Sequence, residues 1–388
     1  MNFGKILYGI DIFLPKASAY KNKRIGLVTN NAATTSDAEL SRLALIKEGF
    51  NLVKLFSPEH GLNVKGADGS FQENSVDQIT GLPIISLYGK DLVPSEKDLS
   101  DIDIILFDIP DVGARFYTYL WTMTYVMEAC SLFGKPLIIL DRPNPISGNL
   151  ELAEGPMLDE ENCSSFIGRW KIPIRHSCTL GELANYFISS KKINLDLTII
   201  KVENWNRNES IIESNWNFIP TSPAIRNKET ALLYPGMGLL EGINVNEGRG
   251  SDYPFKIIGA PWINSEILLH EFQSLSLPGI LCQEYVYTPL DSLYKNEICK
   301  GIKLSVTDPS LFQPVLMGLE IIKLLLNLFT ENCKEKNYPT VANPTGEKHL
   351  DKLIGIPDSF EKIKSGEIMD HYHEGSNWEK IINPFLLY

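Results

Sequence analysis

The chain has 388 residues, of which 44% are hydrophobic and 22% charged, with a formal net charge of −12 and a pI of about 5.1. This composition is typical of a globular protein, and the length exceeds what one hydrophobic core usually supports, so two domains are expected. The negative charge disfavours nucleic-acid binding, because phosphate backbones would be repelled.

The N-terminal part alternates apolar strand patterns with helix patterns. We predict strands at 24–30, 52–56, 83–87, 102–107, 137–140 and 197–202, with helices at 36–48, 118–133 and 179–190. Strands that alternate with helices indicate an α/β fold, in which a doubly wound parallel sheet has helices on both faces.

The pattern changes near residue 255, where apolar helices (265–275 and 312–329) mix with short strands (285–287 and 302–306). We therefore predict a smaller C-terminal α/β domain and divide the chain into residues 1–252 and 253–388.

The cysteines and the chain start bear on the cellular setting. The six cysteines contain no C-x-x-C pair, which disfavours zinc and redox motifs and favours free thiols, with Cys130 buried in an apolar helix. The first residues show no signal-peptide pattern, so the chain as written is expected to be cytoplasmic, or periplasmic or secreted if a signal sequence was trimmed. No apolar run is long enough to predict membrane insertion.

Polar residues follow four of the predicted strands. They are Asn30 with its neighbours, the segment SPEHG at 57–61, the segment DIPD at 108–111 and the segment DRPNP at 141–145. Ligands of open α/β sheets bind beyond the carboxyl ends of the strands, so these clusters predict one shared site.

Glu59 is the leading candidate for a catalytic carboxylate. Pro58 and Gly61 hold it in a tight turn directly after an apolar strand. Apolar surroundings would raise its pKa, which suits a general acid, whereas a turn glutamate that faces water is the alternative. His60 could orient Glu59 or contact a ligand.

Asp108 and Asp111 offer a second carboxylate, as glycoside hydrolysis requires. Asp108 ends a buried strand and needs a partner, for which Arg115 is a candidate. Asp111 could instead cap the helix that follows. Tyr117 offers an aromatic face to a sugar, or packs in the core.

Other polar groups are candidate ligand contacts. Two prolines stiffen the loop that carries Arg142 and Asn144. Arg249 lies among glycines and could bind an anion, although a solvated arginine in a glycine-rich turn fits equally. His176 could donate a hydrogen bond to substrate.

The first strand is not followed by a G-x-G-x-x-G sequence, so no dinucleotide cofactor is expected, and we predict no resident metal.

Several segments, read in order, resemble the exo-β-N-acetylmuramidases of peptidoglycan recycling. They are GLVTN at 26–30, SPEHG at 57–61, SLYG at 86–89, DVGARFYTY at 111–119, DRPNP at 141–145, EGP at 154–156, PIRH at 173–176, YPG at 234–236 and EGRG at 247–250. Modest departures from the family pattern occur at Pro110, at Ser177 and in the segment 221–224.

The resemblance implies a Rossmann-like N-terminal domain, a smaller C-terminal domain and a cleft between them. It implies release of terminal β-1,4-linked N-acetylmuramic acid (MurNAc) from the non-reducing end of MurNAc–GlcNAc peptidoglycan fragments, without a cofactor, and it identifies Glu59 as catalytic. Because MurNAc carries a lactyl carboxylate, a cation is needed, and Arg115, Arg142 and Arg249 are candidates.

The second catalytic role stays open at this point. Asp108 or Asp111 could activate water, or the 2-acetamido group of the substrate could attack the anomeric carbon. Two other functions also stay open: a non-catalytic sugar- or anion-binding module, and a metal-dependent hydrolase that uses His60, Asp108, Asp111 and His176.

Overall fold

A computed structural model describes residues 4–208 and 216–388 of the chain, so residues 1–3 and 209–215 of the first predicted domain lie outside it. Ten strands are present in the described part: β1 Ile25–Thr29, β2 Leu52–Ser57, β3 Ser75–Val76, β4 Pro83–Ser86, β5 Ile104–Asp108, β6 Leu137–Leu140, β7 Leu197–Ile200, β8 Ile257–Ala260, β9 Ile280–Tyr287 and β10 Cys299–Val306.

The first seven strands form one sheet in the order β3-β4-β2-β1-β5-β6-β7. All its pairings are parallel except that of β3 with β4. Every residue of β1, β5 and β6 is buried, as expected for strands covered on both faces. The predicted α/β fold is confirmed, and the exposed two-residue strand β3 is an addition at the edge.

One helix precedes these strands, and the others lie between and after them. They are α1 Gly9–Lys16, α2 Ser41–Lys47, α3 Glu96–Leu99, α4 Thr118–Leu132, α5 Leu180–Lys191, α6 Lys228–Met237, α7 Ser265–Ser274, α8 Pro314–Leu328, α9 His349–Ile354, α10 Ser359–Ser365, α11 Ile368–Tyr372 and α12 Trp378–Ile382. None of the described helices is long and apolar enough to span a bilayer.

Helix α5 begins with the capping box that its sequence predicts. The Glu182 backbone N–H donates to Thr179 Oγ1 at 3.2 Å, and the Thr179 N–H donates to the Glu182 carboxylate at 3.0 Å. In contrast, the helix predicted from residue 36 begins only at Ser41. The carboxylate of Asp11 accepts the Ser36 N–H at 3.1 Å, which holds that segment in a turn.

The C-terminal part contains an antiparallel sheet in the order β8-β10-β9. Its strands β9 and β10 are longer than predicted, and the apolar helix α8 packs against α6. The two helices approach closely where Gly236 meets Gly318, since a Cβ on either glycine would clash with backbone atoms of the other helix. Helix α6 precedes residue 252, and the domain boundary there stays a prediction.

Candidate active site

A pocket opens at the carboxyl edge of the large sheet. The N-terminal part contributes Glu59, His60, Asp68, Tyr88, Tyr117 and Thr118. Residues much later in the sequence complete the lining, among them Glu241, Arg249, Tyr338, Asn343, His349 and Lys352. The pocket is therefore built jointly by two distant stretches of the sequence.

Glu59 follows β2 and is 5% exposed. The left-handed backbone of His60 and Gly61, with φ of 66° and 70°, turns the chain sharply after it. Oε1 accepts the Gly69 backbone N–H at 2.7 Å, and Oε2 accepts the Thr118 hydroxyl at 2.6 Å. Burial raises the pKa of Glu59, and this effect outweighs the lowering by His60 and the two hydrogen bonds.

Asp68 lies beside Glu59 and was not predicted as a site residue. Its carboxylate accepts the Tyr338 hydroxyl at 2.6 Å and lies 3.4 Å from the Arg249 guanidinium. Burial raises the pKa of Asp68, but Arg249, His60 and Tyr338 together lower it below its ordinary value. The pKa values of the two neighbouring carboxyl groups are thus shifted in opposite directions, which favours the neutral acid in Glu59 and the anion in Asp68.

His60 lines the pocket, as predicted. Its Nδ1 lies 2.8 Å from the Gly66 carbonyl, which fixes the orientation of the ring. Atoms of Glu59, His60 and Asp68 lie within 4.8 Å of one another, and this is the one group of three possible metal ligands in the described residues. The different set of His60, Asp108, Asp111 and His176, which we considered for a metal, is therefore not assembled.

Asp108 and Asp111 lie outside the residues that line the pocket. Asp108 is fully buried and accepts two hydrogen bonds from Arg142, at 2.6 and 3.0 Å. The partner is Arg142 rather than Arg115, because Arg142 follows β6, the strand next to β5. Asp111 accepts the Gly113 N–H at 3.0 Å and lies 3.2 Å from His176 Nε2, so it caps a turn and not helix α4.

Arg115 also lies outside the pocket lining. Its guanidinium is fully buried, and burial lowers its pKa to about 9. It donates to four backbone carbonyls, at distances from 2.6 to 3.0 Å: those of Pro156, Ile172, Leu353 and Ile354. Arg115 therefore joins the two parts of the chain.

Two asparagines predicted as ligand contacts are bound to backbone groups instead. Asn144 donates to the Cys178 carbonyl at 2.9 Å and accepts the Ile146 N–H at 3.0 Å. Asn30 accepts the Ala32 N–H at 3.0 Å. Neither lines the pocket, and each stabilises the loop in which it lies.

Arg249 and Tyr117 line the pocket, as predicted. The Arg249 guanidinium contacts Glu241 at 2.7 Å and Glu247 at 2.9 Å, in addition to Asp68. Gly248 and Gly250, with φ of 88° and 77°, shape the loop that directs the arginine inward. Of the predicted site residues, the structure therefore brings together Glu59, His60, Tyr117 and Arg249.

Two neighbouring carboxyl groups in a pocket at the edge of an α/β sheet provide the pair of carboxylates that glycoside hydrolysis requires. Two family models, described as the N-terminal and C-terminal parts of exo-beta-N-acetylmuramidase NamZ, match residues 25–229 and 232–388. The chain belongs to this family, and the resemblance drawn from its motifs is confirmed.

Individual relatives agree with this assignment. The chain is 39% identical to the peptidoglycan beta-N-acetylmuramidase NamZ of Bacillus subtilis (strain 168) over 383 residues, which cover 98% of this chain and 87% of the relative. Crystal structures of two DUF1343 family proteins from Bacteroides fragilis NCTC 9343 are similar, with TM-scores of 0.88 and 0.74. Each is 27% identical, and each match covers 99% of both chains.

Proposed function

We propose that this chain is an exo-β-N-acetylmuramidase that releases terminal MurNAc from MurNAc–GlcNAc fragments of peptidoglycan, with Glu59 as the general acid. The observation that carries the proposal is the geometry of two neighbouring carboxyl groups in the pocket: Glu59 is buried and bound by Gly69 and Thr118, and Asp68 lies 3.4 Å from the Arg249 guanidinium. The pKa of Glu59 is raised and that of Asp68 lowered, in agreement with these roles. Membership of the NamZ family supports the sugar and the linkage.

Glu59 would donate its proton to the glycosidic oxygen as the bond from that oxygen to the anomeric carbon breaks, and the leaving sugar would depart as a neutral alcohol. A nucleophile would form a new bond to the anomeric carbon, and water would then hydrolyse this intermediate to free MurNAc and return the proton to Glu59. Asp68, kept ionised by Arg249, would stabilise the positive charge that develops at the anomeric carbon. Asp68 takes the place that sequence reasoning left to Asp108 or Asp111, because neither of those residues lines the pocket.

The spacing of the two carboxyl groups bears on the stereochemistry. One carboxylate oxygen of Glu59 and one of Asp68 lie within 4.8 Å of each other, whereas inverting enzymes place their carboxyl groups about 6.5–9.5 Å apart to admit a water. The short spacing supports retention of the anomeric configuration. Attack by Asp68 and attack by the 2-acetamido group both give this outcome, and NMR of the released sugar measures it.

The proposed function is tested by hydrolysis of two substrates, the disaccharide MurNAc–GlcNAc and a 4-nitrophenyl β-MurNAc glycoside, with the β-GlcNAc glycoside for comparison. We expect release of MurNAc and a loss of roughly 10²- to 10⁴-fold on the disaccharide in Glu59→Gln. The loss on the nitrophenyl glycoside should be smaller, because nitrophenolate leaves without a proton.

Glu73→Gln is the matched control, since Glu73 is an exposed carboxylate in the same loop region. Activity is expected to persist in EDTA. Tight binding of MurNAc–GlcNAc without release, by a folded protein, would instead establish a binding module. Full activity of Glu59→Gln on the disaccharide would contradict the acid role of Glu59.

A further inference from the structure

The arginines expected to bind the lactyl carboxylate of MurNAc are already engaged. Arg115 and Arg142 do not line the pocket. Arg249 does, but three carboxylates surround it, those of Asp68, Glu241 and Glu247. An anionic substituent that approached Arg249 would meet this negative charge, so the recognition of the lactyl group requires a different cation.

Lys352 is a cation of the pocket with a different set of contacts. It projects from helix α9 and donates to Asn343 Oδ1 at 3.0 Å and to the Glu347 carbonyl at 2.9 Å. Both acceptors are neutral, and in the described part of the chain no carboxylate oxygen lies within 4.0 Å of the Lys352 ammonium, although Glu347 and Asp351 are close enough to act on its pKa. A lysine ammonium has three donors, so one stays available to a ligand.

Two further polar groups beside Lys352 lack hydrogen-bond partners in the described part of the chain. They are Asn343 Nδ2 and the ring nitrogens of His349, all of them buried, with His349 Nε2 at 3.7 Å from a carboxylate oxygen of Glu241. The Asn343 amide is oriented by its bond to Lys352, and the His349 ring stacks on Tyr338 at 4.7 Å. Buried polar groups without partners cost free energy, which a bound anion would offset.

Backbone hydrogen bonds connect the segment that carries Asn343 to the loop that binds Glu59. Gly69, whose N–H donates to Glu59, accepts the Val341 N–H through its carbonyl at 3.0 Å. The Asn343 N–H in turn donates to Thr340 Oγ1 at 3.0 Å. In MurNAc the lactyl group stands on the same ring as the anomeric carbon, so its binding site must share a pocket with Glu59, as Lys352 does.

We infer that Lys352, Asn343 and His349 form the subsite that binds the lactyl carboxylate and distinguishes MurNAc from GlcNAc, an inference that rests on the function proposed above. The ammonium would form a charge-assisted hydrogen bond with the carboxylate, and the Asn343 amide would donate to its second oxygen. GlcNAc carries a neutral hydroxyl group where MurNAc carries the lactyl group. It would therefore form neither of these two contacts through a charged carboxylate.

The test compares kcat/KM for the 4-nitrophenyl β-MurNAc glycoside and for its lactyl methyl ester, which differ in one charge. In the wild-type protein we expect the acid to be preferred by roughly 10- to 100-fold. Lys352→Met should bring this ratio close to one, and Lys352→Arg should keep most of it. The control Lys348→Met removes an exposed charge four residues away and should leave the ratio unchanged.

Each outcome separates the subsite from the function. Wild-type protein that hydrolyses neither glycoside overturns both, whereas equal hydrolysis of acid and ester overturns the subsite alone. An unchanged ratio in folded Lys352→Met also overturns it. If circular dichroism shows that this variant is unfolded, the isosteric variant Asn343→Asp tests the subsite in its place. The added carboxylate would repel the lactyl carboxylate, so kcat/KM for the methyl ester should exceed kcat/KM for the acid.

Discussion

The surroundings of Glu59 act on its pKa in opposite directions. Burial favours the neutral acid, while the Thr118 hydroxyl and the Gly69 N–H each favour the carboxylate. A general acid must start protonated and lose its proton during the reaction, so both tendencies are useful. Removal of one donor should move this balance in a known direction.

Thr118→Val should shift the alkaline limb of the pH profile of kcat/KM to higher pH. The lost hydrogen bond lowers the pKa of Glu59 in the wild type, so the variant has a higher pKa and stays protonated further into the alkaline range. Thr122→Val is the control, because the Thr122 hydroxyl, one helical turn later, contacts only the helix backbone. A limb that moved to lower pH would contradict the assignment of Glu59 as the acid.

At the scale of elements, the segment 338–343 packs against the loop that follows Glu59. Tyr338 binds Asp68, and Val341 donates to Gly69, whose own N–H binds Glu59. Gly69 has a φ of 63°, and a Cβ there would lie 2.7 Å from the Thr340 side chain. The loop therefore has room for hydrogen and not for a methyl group.

Gly69→Ala should reduce kcat/KM by at least tenfold, since the loop must shift and withdraw its donor from Glu59. Gly81→Ala provides a matched control: its φ of 73° imposes similar backbone strain, but no atom lies within 4 Å of the added Cβ. Gly81→Ala should lose about 1 kcal/mol of stability in urea unfolding, and Gly69→Ala should lose more, because the clash with Thr340 adds to the same backbone strain. Equal activities of the two variants would show that the packing against Thr340 is unimportant.

The elements differ in how far the sequence predicts them. Strand β6 has the predicted bounds, because its apolar run lies between Pro136 and Asp141. The partner of Asp108 was predicted wrongly, since it is set by the neighbouring strand and not by closeness in sequence. Asp68 lies in a loop and Lys352 in the short helix α9, and only long-range packing brings them into the pocket with Glu59, so local signals could not identify them as site residues.

At the scale of the whole molecule, the pocket exists only while the two parts of the chain stay together. The Trp378 indole donates to the His176 carbonyl at 2.8 Å, and Tyr372 donates to Glu154 at 2.9 Å. Arg115 adds two hydrogen bonds to helix α9, which carries His349 and Lys352. Stability and substrate recognition are therefore coupled through buried groups that touch no substrate.

Arg115→Met should lower the free energy of unfolding by about 3 kcal/mol or more, because it leaves four buried carbonyls without their donor. Urea unfolding followed by tryptophan fluorescence measures this loss. Arg226→Met is the control, since Arg226 is exposed and donates to a single carbonyl, that of Pro223. If Arg115 instead bound substrate, as its sequence motif first suggested, kcat/KM would fall while the unfolding midpoint stayed near the wild-type value. A lowered midpoint with a raised KM for MurNAc would show that Arg115 acts by positioning helix α9.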